Sequence, residues 1–279
     1  MQNKTDKLIY RGKSKDVFEI REGKYQGKYK MVFTDRATGY KKAGQTIFDP
    51  GYDNVVGSIP GKGKIACQFT TKLFRLLKEK HIPTHYIETV SDDAVVVEPA
   101  IPISMKEEAA GVPGSAPLVN LEFTWRNNNM GSFWRRYPFV RPCKNLNFVV
   151  EAWTKGKSDI LITFESLVAA GVVTRSEIKY IEKLVKKIAS IVTIALAQKN
   201  IHAIDGKFEL GRLKHGGKKI VLIDEISCDV LRVCKGFLPD RYGNCMIYRQ
   251  CIKTSYKDGV RTIQAKNQLS AKQLLKIFL

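Results

Sequence analysis

The sequence predicts an α+β fold, with an antiparallel N-terminal lobe and a mixed α/β C-terminal lobe. Three observations carry that prediction. Short apolar runs separated by a glycine-rich turn fill residues 8–35, as strands do. The stretches 65–80 and 174–200 repeat their apolar residues at helical spacing. Two further β-type runs, 201–213 and 218–227, flank a Gly-Gly pair. The lobes are expected to divide the chain into 1–117 and 118–279.

Leu8 to Ile20 is extended in pattern, GKYQGK supplies a turn, and KMVFTD is a short apolar strand. Residues 36–63 are rich in Gly, Asp, Asn and Pro and read as loop. In the helix that follows, Ile65, Phe69, Leu73, Leu76 and Leu77 share a face. Pro83 closes it, because proline disfavours helix in the residue before it. Tyr86–Val90 and Ala94–Val97 form a hairpin around Ser91-Asp92-Asp93. Residues 98–117, with Pro99, Pro102, Pro113, Pro117, Gly111 and Gly114, read as a linker or insertion. Leu118–Trp125 is a strand, and 138–164 reads as irregular. Thr174 and Glu177 form a capping box. It opens a long helix with Ile178, Ile181, Leu184, Val185, Ile188, Val192, Ala195 and Leu196 on its core face. The tail is polar until a short helical pattern at Ala271–Phe278.

Composition narrows the function. The 279 residues are 44% hydrophobic and 27% charged, ordinary for a soluble globular protein, but the net charge is +20. Such a surplus suits nucleic acid, a membrane surface or phosphorylated small molecules. The basic residues are spread along the chain, and no zinc-finger, RRM or basic-zipper pattern occurs, which weighs against a dedicated nucleic-acid binder. Cys67, Cys143, Cys228, Cys234, Cys245 and Cys251 form no CxxC pair, so reduced thiols are expected rather than a zinc site. No signal-type leader or membrane-length apolar run is present, and a cytoplasmic location is expected.

The chemistry concentrates between Ile201 and Ser227. In IHAIDGKFELGRL, Asp205, Lys207 and Glu209 alternate with Gly206, Phe208 and Leu210, so the three charges share one face of a strand. A two-residue loop at Gly216-Gly217 would set Glu209 opposite Asp224, with Cβ atoms about 4.5–5.5 Å apart. Two carboxylates that close repel unless a cation lies between them. A Mg²⁺ held by one or two carboxylates plus substrate phosphates answers that need. Solvated strand charges paired with lysines are the plain alternative.

Three other segments carry candidates. In Tyr10-Arg11-Gly12-Lys13-Ser14-Lys15, Lys13 and Lys15 lie on one face of an extended run and suit a polyphosphate. An exposed basic edge is the competing explanation. Arg126 and Gly131-Ser132 bracket a polar loop suited to a phosphate or carboxylate, and Trp134, Arg135 and Arg136 follow. Ile59-Pro60-Gly61-Lys62-Gly63-Lys64 lacks the Walker spacing, but as an entry to the 65–80 helix it could greet an anion. His81, His85, His202 and His215 have no metal-type spacing.

These segments, in this order, resemble the SAICAR synthetase family of purine-pathway ligases. The resemblance runs over about residues 8–240. It rests on Tyr10–Lys15, Asp35-Arg36, IPGKG at 59–63, Ile82-Pro83-Thr84, Arg126 with Gly131-Ser132, Ile204–Gly211, and Asp224–Asp229 with Arg232. It implies a two-lobed fold related to ATP-grasp enzymes, with a nucleotide-binding first lobe and a second lobe carrying the metal and substrate sites. It implies ATP, Mg²⁺, a carboxyaminoimidazole ribotide and L-aspartate, joined through an acyl phosphate. Lys13 and Lys15 would bind ATP phosphates, Glu209 and Asp224 would hold Mg²⁺, and Lys207 would stand beside the nucleotide. Lys207 and Asp205 would serve catalysis. Arg126, Ser132 and Arg232 would bind the ribotide, with Asp229 shaping that site. Small-molecule partners are expected, with a homo-oligomer left open.

The chain departs from the family pattern in three places, one of them residues 103–117, which look inserted. The other two are substitutions. Ala37-Thr38-Gly39-Tyr40-Lys41 stands where many members carry Ser-Ala-Phe-Asp, and Ser158–Thr163 lacks the expected histidine. Both fall where the amino substrate is handled. The alternatives are a paralogous ligase or small-molecule kinase with another acceptor, and a basic nucleic-acid-binding protein without catalysis.

Overall fold

The computed structural model describes residues 6–48, 54–106, 118–141, 143–155, 159–215, 217 and 219–235. The chain forms two compact units. The first takes residues 1–104, 156–158 and 209–229, and the second takes 105–155, 159–208 and 230–279. No single cut separates them, because the chain passes between units more than once, at 104/105, 208/209 and 229/230 among others.

The first unit opens with β1 (Lys7–Arg11), β2 (Lys15–Glu19) and β3 (Tyr29–Phe33). The run 8–20 is not one extended strand. Gly12 N donates to Lys15 O at 2.8 Å, closing a turn that contains Lys13. Lys15 is therefore the first residue of β2 while Lys13 lies outside it, so the two lysines do not share a strand face. A Cβ on Gly12 would stand 2.8 Å from that same oxygen, so the tight turn demands glycine.

Most of the described residues within 36–58 are not loop. They form a small antiparallel sheet of β4 (Arg36–Lys42), β5 (Gln45–Phe48) and β6 (Val55–Ser58), with β4 central. Its glycines are packing residues as well as turn formers. A Cβ at Gly39 would lie 2.0 Å from Ile47 O across the β4–β5 pair.

Helix α1 (Lys62–Glu79) has no side-chain cap of its own; Gly61 takes the N-cap position with φ +81°. Asp35 does the capping from outside. Its carboxylate accepts from Gly61 N at 3.0 Å and Gly63 N at 2.9 Å. Those two hydrogen bonds, with nearby Lys62 and Lys64, hold its pKa below the usual value. The amides read from sequence as a greeting for a bound anion are thus occupied by an internal one. Phe69, Leu73, Phe74 and Leu77 are fully buried. They cover a sheet ordered β1-β2-β3-β8-β7, completed by β7 (Tyr86–Ser91) and β8 (Ala94–Val97). Within the proline-rich stretch, β9 (Ala100–Pro102) and β10 (Ser104–Lys106) are short strands. The remainder of that stretch, 107–117, lies outside the described residues.

The second unit is built on β11 (Leu118–Asn128), which pairs antiparallel with β12 (Asn145–Thr154). The helix α2 (Gly131–Arg136) lies between them in the chain. Sequence patterning missed β12, although Phe148, Val149, Val150, Trp153 and Thr154 are β-branched or aromatic; Asn145 and Asn147 at its start obscured the run. Then come β13 (Leu161–Ile162), α3 (Phe164–Ala169) and α4 (Arg175–Ala197). The predicted capping box opens α4. Thr174 Oγ1 accepts from Glu177 N at 3.2 Å, and Thr174 N donates to Glu177 Oε2 at 2.8 Å. Ile181, Val185, Ile188, Val192 and Leu196 are fully buried.

The strand β14 (Ile201–Leu213) has the bounds that its sequence pattern predicts. It pairs with β11 and, over Ile201–Gly206, with the last described strand. Its second half belongs to the first unit, where it pairs with β15 (Ile220–Ile223). The last strand, β16 (Leu231–Lys235), returns to the second unit. The predicted terminal helix at 271–278 lies outside the described residues.

Candidate functional site

The β14–β15 register differs by one residue from the predicted one. Glu209 pairs with Ile223 and Arg212 with Ile220; Leu213 N then donates to Lys219 O at 3.1 Å. The connection thus spans 214–218 rather than the two residues Gly216-Gly217. An odd loop shifts an even-loop register by one, and every opposed pair changes. Asp224 does not face Glu209 across the ladder. It lies just past β15, at φ +65°, in the left-handed region that aspartate tolerates better than most residues.

That turn delivers Asp224 to Lys15. The buried ammonium donates to Asp224 Oδ1 at 2.8 Å and Oδ2 at 2.9 Å, and stands 2.7 Å from Glu225 Oε1. Burial alone would lower the Lys15 pKa, but the two carboxylates outweigh it and raise the value well above normal. Glu225 is 4% exposed, and its Oε2 is buried with no hydrogen-bond partner. Two acids against one lysine leave this cluster with surplus negative charge. Buried His85 places Nε2 3.2 Å from Asp224 O, and burial pushes its pKa down to about 4. Glu209 belongs to the same unit and is buried.

Arg36 and Asp35 frame this cluster's N-terminal side. Arg36 donates Nη2 to Gly12 O at 2.9 Å and Nη1 to Asp16 at 3.2 Å, which ties down the Gly12–Lys15 turn. The Asp35-Arg36 pair is thus scaffold for α1 and for the lysine turn. Asp229 pairs with Lys62 at 2.5 Å, and its N–H donates to Ser227 Oγ at 3.2 Å.

The second unit holds an alternating chain of charges. Asp205 is 2% exposed. It accepts from Arg126 Nη1 at 2.8 Å and Arg232 Nε at 2.6 Å, with Arg232 Nη2 also on its second oxygen. Arg126 Nε donates to Glu151 Oε2 at 3.0 Å, and Arg136 Nη2 donates to the other Glu151 oxygen. Burial raises the Asp205 pKa, but Arg232 and Arg126 overcome it and hold the carboxyl below its ordinary value. Three guanidinium groups against two carboxylates leave this cluster with surplus positive charge, which suits an anion. Gly131 makes room for it: a Cβ there would meet Arg232 Nη1 at 2.2 Å, and its φ is +58°.

The three charged residues expected to share a face of this strand, Asp205, Lys207 and Glu209, differ in environment. A bulge precedes Asp205, and Asp205 and Glu209 are both buried. Lys207 points its Nζ to Glu122 Oε1 at 2.8 Å. Ser132 is the second residue of α2 and half-buried. Sequence reading did not single out Glu122, Glu151 or His85 as site residues, since each acquires its partner only through strand pairing or long-range packing. Among the described residues, no group of three or more His, Cys, Asp and Glu is arranged to hold a metal ion. Among the described residues, no helix is long and apolar enough to cross a membrane.

His202 gives a pH prediction. Its Nε2 lies 2.6 Å from Asn128 Oδ1, and burial pushes its pKa down to about 4. The unfolded chain takes up the proton near pH 6.5, whereas the folded chain resists until about pH 4. Stability is therefore full above pH 6.5 and falls as pH drops towards 4. Urea unfolding should show about 2 kcal/mol of this loss between pH 7 and pH 5, absent in His202→Gln. An unchanged pH slope in that variant would refute the assignment.

The chain matches the family described as SAICAR synthetase over residues 8–242. It is 34% identical to the phosphoribosylaminoimidazole-succinocarboxamide synthase of Clostridium tetani, over 82% of this chain and 92% of that protein. It is 31% identical to the Pyrobaculum calidifontis synthase, over 82% of each. A SAICAR synthetase solved in complex with ADP superposes with TM-score 0.63 at 26% identity, covering 92% of this chain and 94% of that one. The Ehrlichia chaffeensis synthase, 21% identical, shares the fold with TM-score 0.67, covering 93% and 98%.

Proposed function

The chain belongs to the SAICAR synthetase family of ATP-dependent carbon–nitrogen ligases, and we propose that its two charged clusters divide the labour of that reaction. The ligase joins carboxyaminoimidazole ribotide to L-aspartate in purine biosynthesis, giving SAICAR, ADP and phosphate. On this reading the first unit takes the nucleotide and the second the ribotide. The ribotide carboxylate accepts the γ-phosphoryl group, releasing ADP. The aspartate amine then attacks the acyl phosphate, loses its proton and expels phosphate.

The buried Lys15–Asp224 pair, at 2.8 and 2.9 Å, carries the nucleotide assignment. A lysine held by two acids keeps its charge at any working pH and is fixed in place before substrate arrives. Lys13, exposed in the adjoining turn, would meet the outer phosphates. The relative solved with ADP supports nucleotide binding.

Glu209 and Asp224 would hold Mg²⁺. The donor chemistry fits: the ligands are hard oxygens, the cluster carries excess negative charge, and Glu225 Oε2 is buried without a partner. The ion, when bound, supplies positive charge to the phosphate oxygens. Lys207 would neutralise charge growing on the transferred phosphoryl group. Arg126, Arg232 and Ser132 would bind the ribotide. Asp205 would act through the two arginines it holds. The thiols of Cys67 and Cys228, not joined in a disulfide, support a reducing compartment, and with it the cytoplasm.

The test is ADP release by the purified protein with ATP, Mg²⁺, the ribotide and L-aspartate. Release should require both co-substrates; release without either would refute the reading. Mg·ATP should raise the thermal midpoint of the wild type and leave that of Glu209→Ala unmoved.

A further inference from the structure

We propose that Arg136 is a further anion-binding residue of the ribotide site, set in place by Glu151 and Trp153. This rests on assigning the ribotide to the second unit. Three independent observations converge on it.

The first is placement. Ser132 and Arg136 are four residues apart on α2, so their side chains lie one above the other on one helical face. A ligand that reaches Ser132 comes within range of Arg136.

The second is preorganisation. The Arg136 guanidinium lies over the Trp153 ring at 4.7 Å and near the Phe133 and Tyr137 rings at 5.8 and 5.6 Å. Its Nη2 is held by Glu151 Oε1. Trp153 is itself anchored, donating Nε1 to Thr124 Oγ1 at 3.0 Å. Thr124 Oγ1 lies 3.3 Å from Glu151 Oε2. An arginine serving only as a solvated surface charge has no need of a stacked and hydrogen-bonded seat.

The third is charge and exposure. The network runs Arg136–Glu151–Arg126–Asp205–Arg232, so it ends on an arginine at each side and carries one cation in excess. The Arg126 side chain is 7% exposed, whereas those of Arg136 and Arg232 are 26% and 25% exposed. The end members are the ones open to a ligand. Glu151 uses one oxygen for Arg126 and the other for Arg136, and is the positioning residue that sets both forks.

The group bound is an anionic oxygen cluster of the ribotide, either its phosphate or its carboxylate. Steady-state kinetics with each substrate varied in turn test this. Arg136→Gln should raise the ribotide KM about tenfold or more, the loss of one charge-assisted hydrogen bond. The ATP KM should stay within about twofold, and the thermal midpoint within the few degrees expected of a part-exposed substitution. Arg136→Lys should recover part of the loss, because it restores charge without the planar fork. Glu151→Gln should raise the same KM. Competitive inhibition by ribose 5-phosphate separates the sources. A weaker inhibitor constant in Arg136→Gln assigns the phosphate, and an unchanged one assigns the carboxylate.

An unchanged ribotide KM in Arg136→Gln, with a raised one in Arg232→Gln, overturns the inference and leaves the ribotide site standing. Unchanged values in both variants overturn the site assignment itself. A drop in thermal midpoint with equal losses for all three substrates makes Arg136 structural and also overturns the inference.

Discussion

Asp205→Ala should destabilise the protein by about 3–5 kcal/mol, the cost of breaking a buried ion pair by removing one partner. The carboxylate is 2% exposed and both its oxygens are taken, by Arg126 at 2.8 Å and Arg232 at 2.6 Å. Deleting it leaves Glu151 as the one carboxylate of this network against three arginines, with Arg126 buried and Arg232 deprived of its Asp205 partner. Asp205→Asn keeps an acceptor but not the charge, and should cost less. A loss of several kcal/mol is a large share of a typical domain's total of about 5–15 kcal/mol. The pH dependence has a definite sign. The folded pKa of Asp205 is depressed, so its contribution is complete above about pH 4 and disappears as pH falls through the folded value. Urea unfolding at pH 7 measures the effect, and a loss under about 1 kcal/mol would contradict the account.

Lys15→Met should be the most damaging change in the first unit, reducing ATP turnover about 100-fold or more and stability by about 3 kcal/mol. The Lys15 Nζ lies 2.7 Å from Glu225 Oε1 and 2.8 and 2.9 Å from the two Asp224 oxygens. Without it Asp224 and Glu225 lose the cation they share, and their repulsion favours uptake of a proton or opening of the turn. A second substitution distinguishes the two roles. Glu225→Gln in the Lys15→Met background removes the repulsion and should recover stability, yet turnover should stay low because the Lys15 charge assigned to the nucleotide site is still missing. Thermal unfolding and ADP release measured on the same samples decide this. Turnover near the wild-type level in Lys15→Met would remove the nucleotide assignment.

Both predictions concern groups whose partners are distant in the chain, and this marks how far the sequence could be read. Local rules located α4 through its Thr174–Glu177 box and β14 through its charged and apolar alternation. They also exposed the hairpin between 201 and 227. They failed where one residue decides the outcome. The Gly216-Gly217 pair looked like a complete two-residue turn, but the observed connection spans 214–218, so Glu209 meets Ile223. Glycine-rich composition likewise hid β4–β6, since Gly39 is there to admit the Ile47 carbonyl. The order of the motifs in the chain was legible, and with it the family.

The sequence by itself determined the α+β class, the main helices and long strand, and the set of charged residues from which a site could be made. Those depend on periodicity, capping and turn chemistry, which act within a few residues. Tertiary structure alone decided which charges meet. It gave Asp224 to Lys15, placed Asp205 between Arg126 and Arg232, and seated Arg136 on Trp153. Electrostatic partnership depends on distance and burial in space, and pairs separated by 209 residues carry no local signal of either.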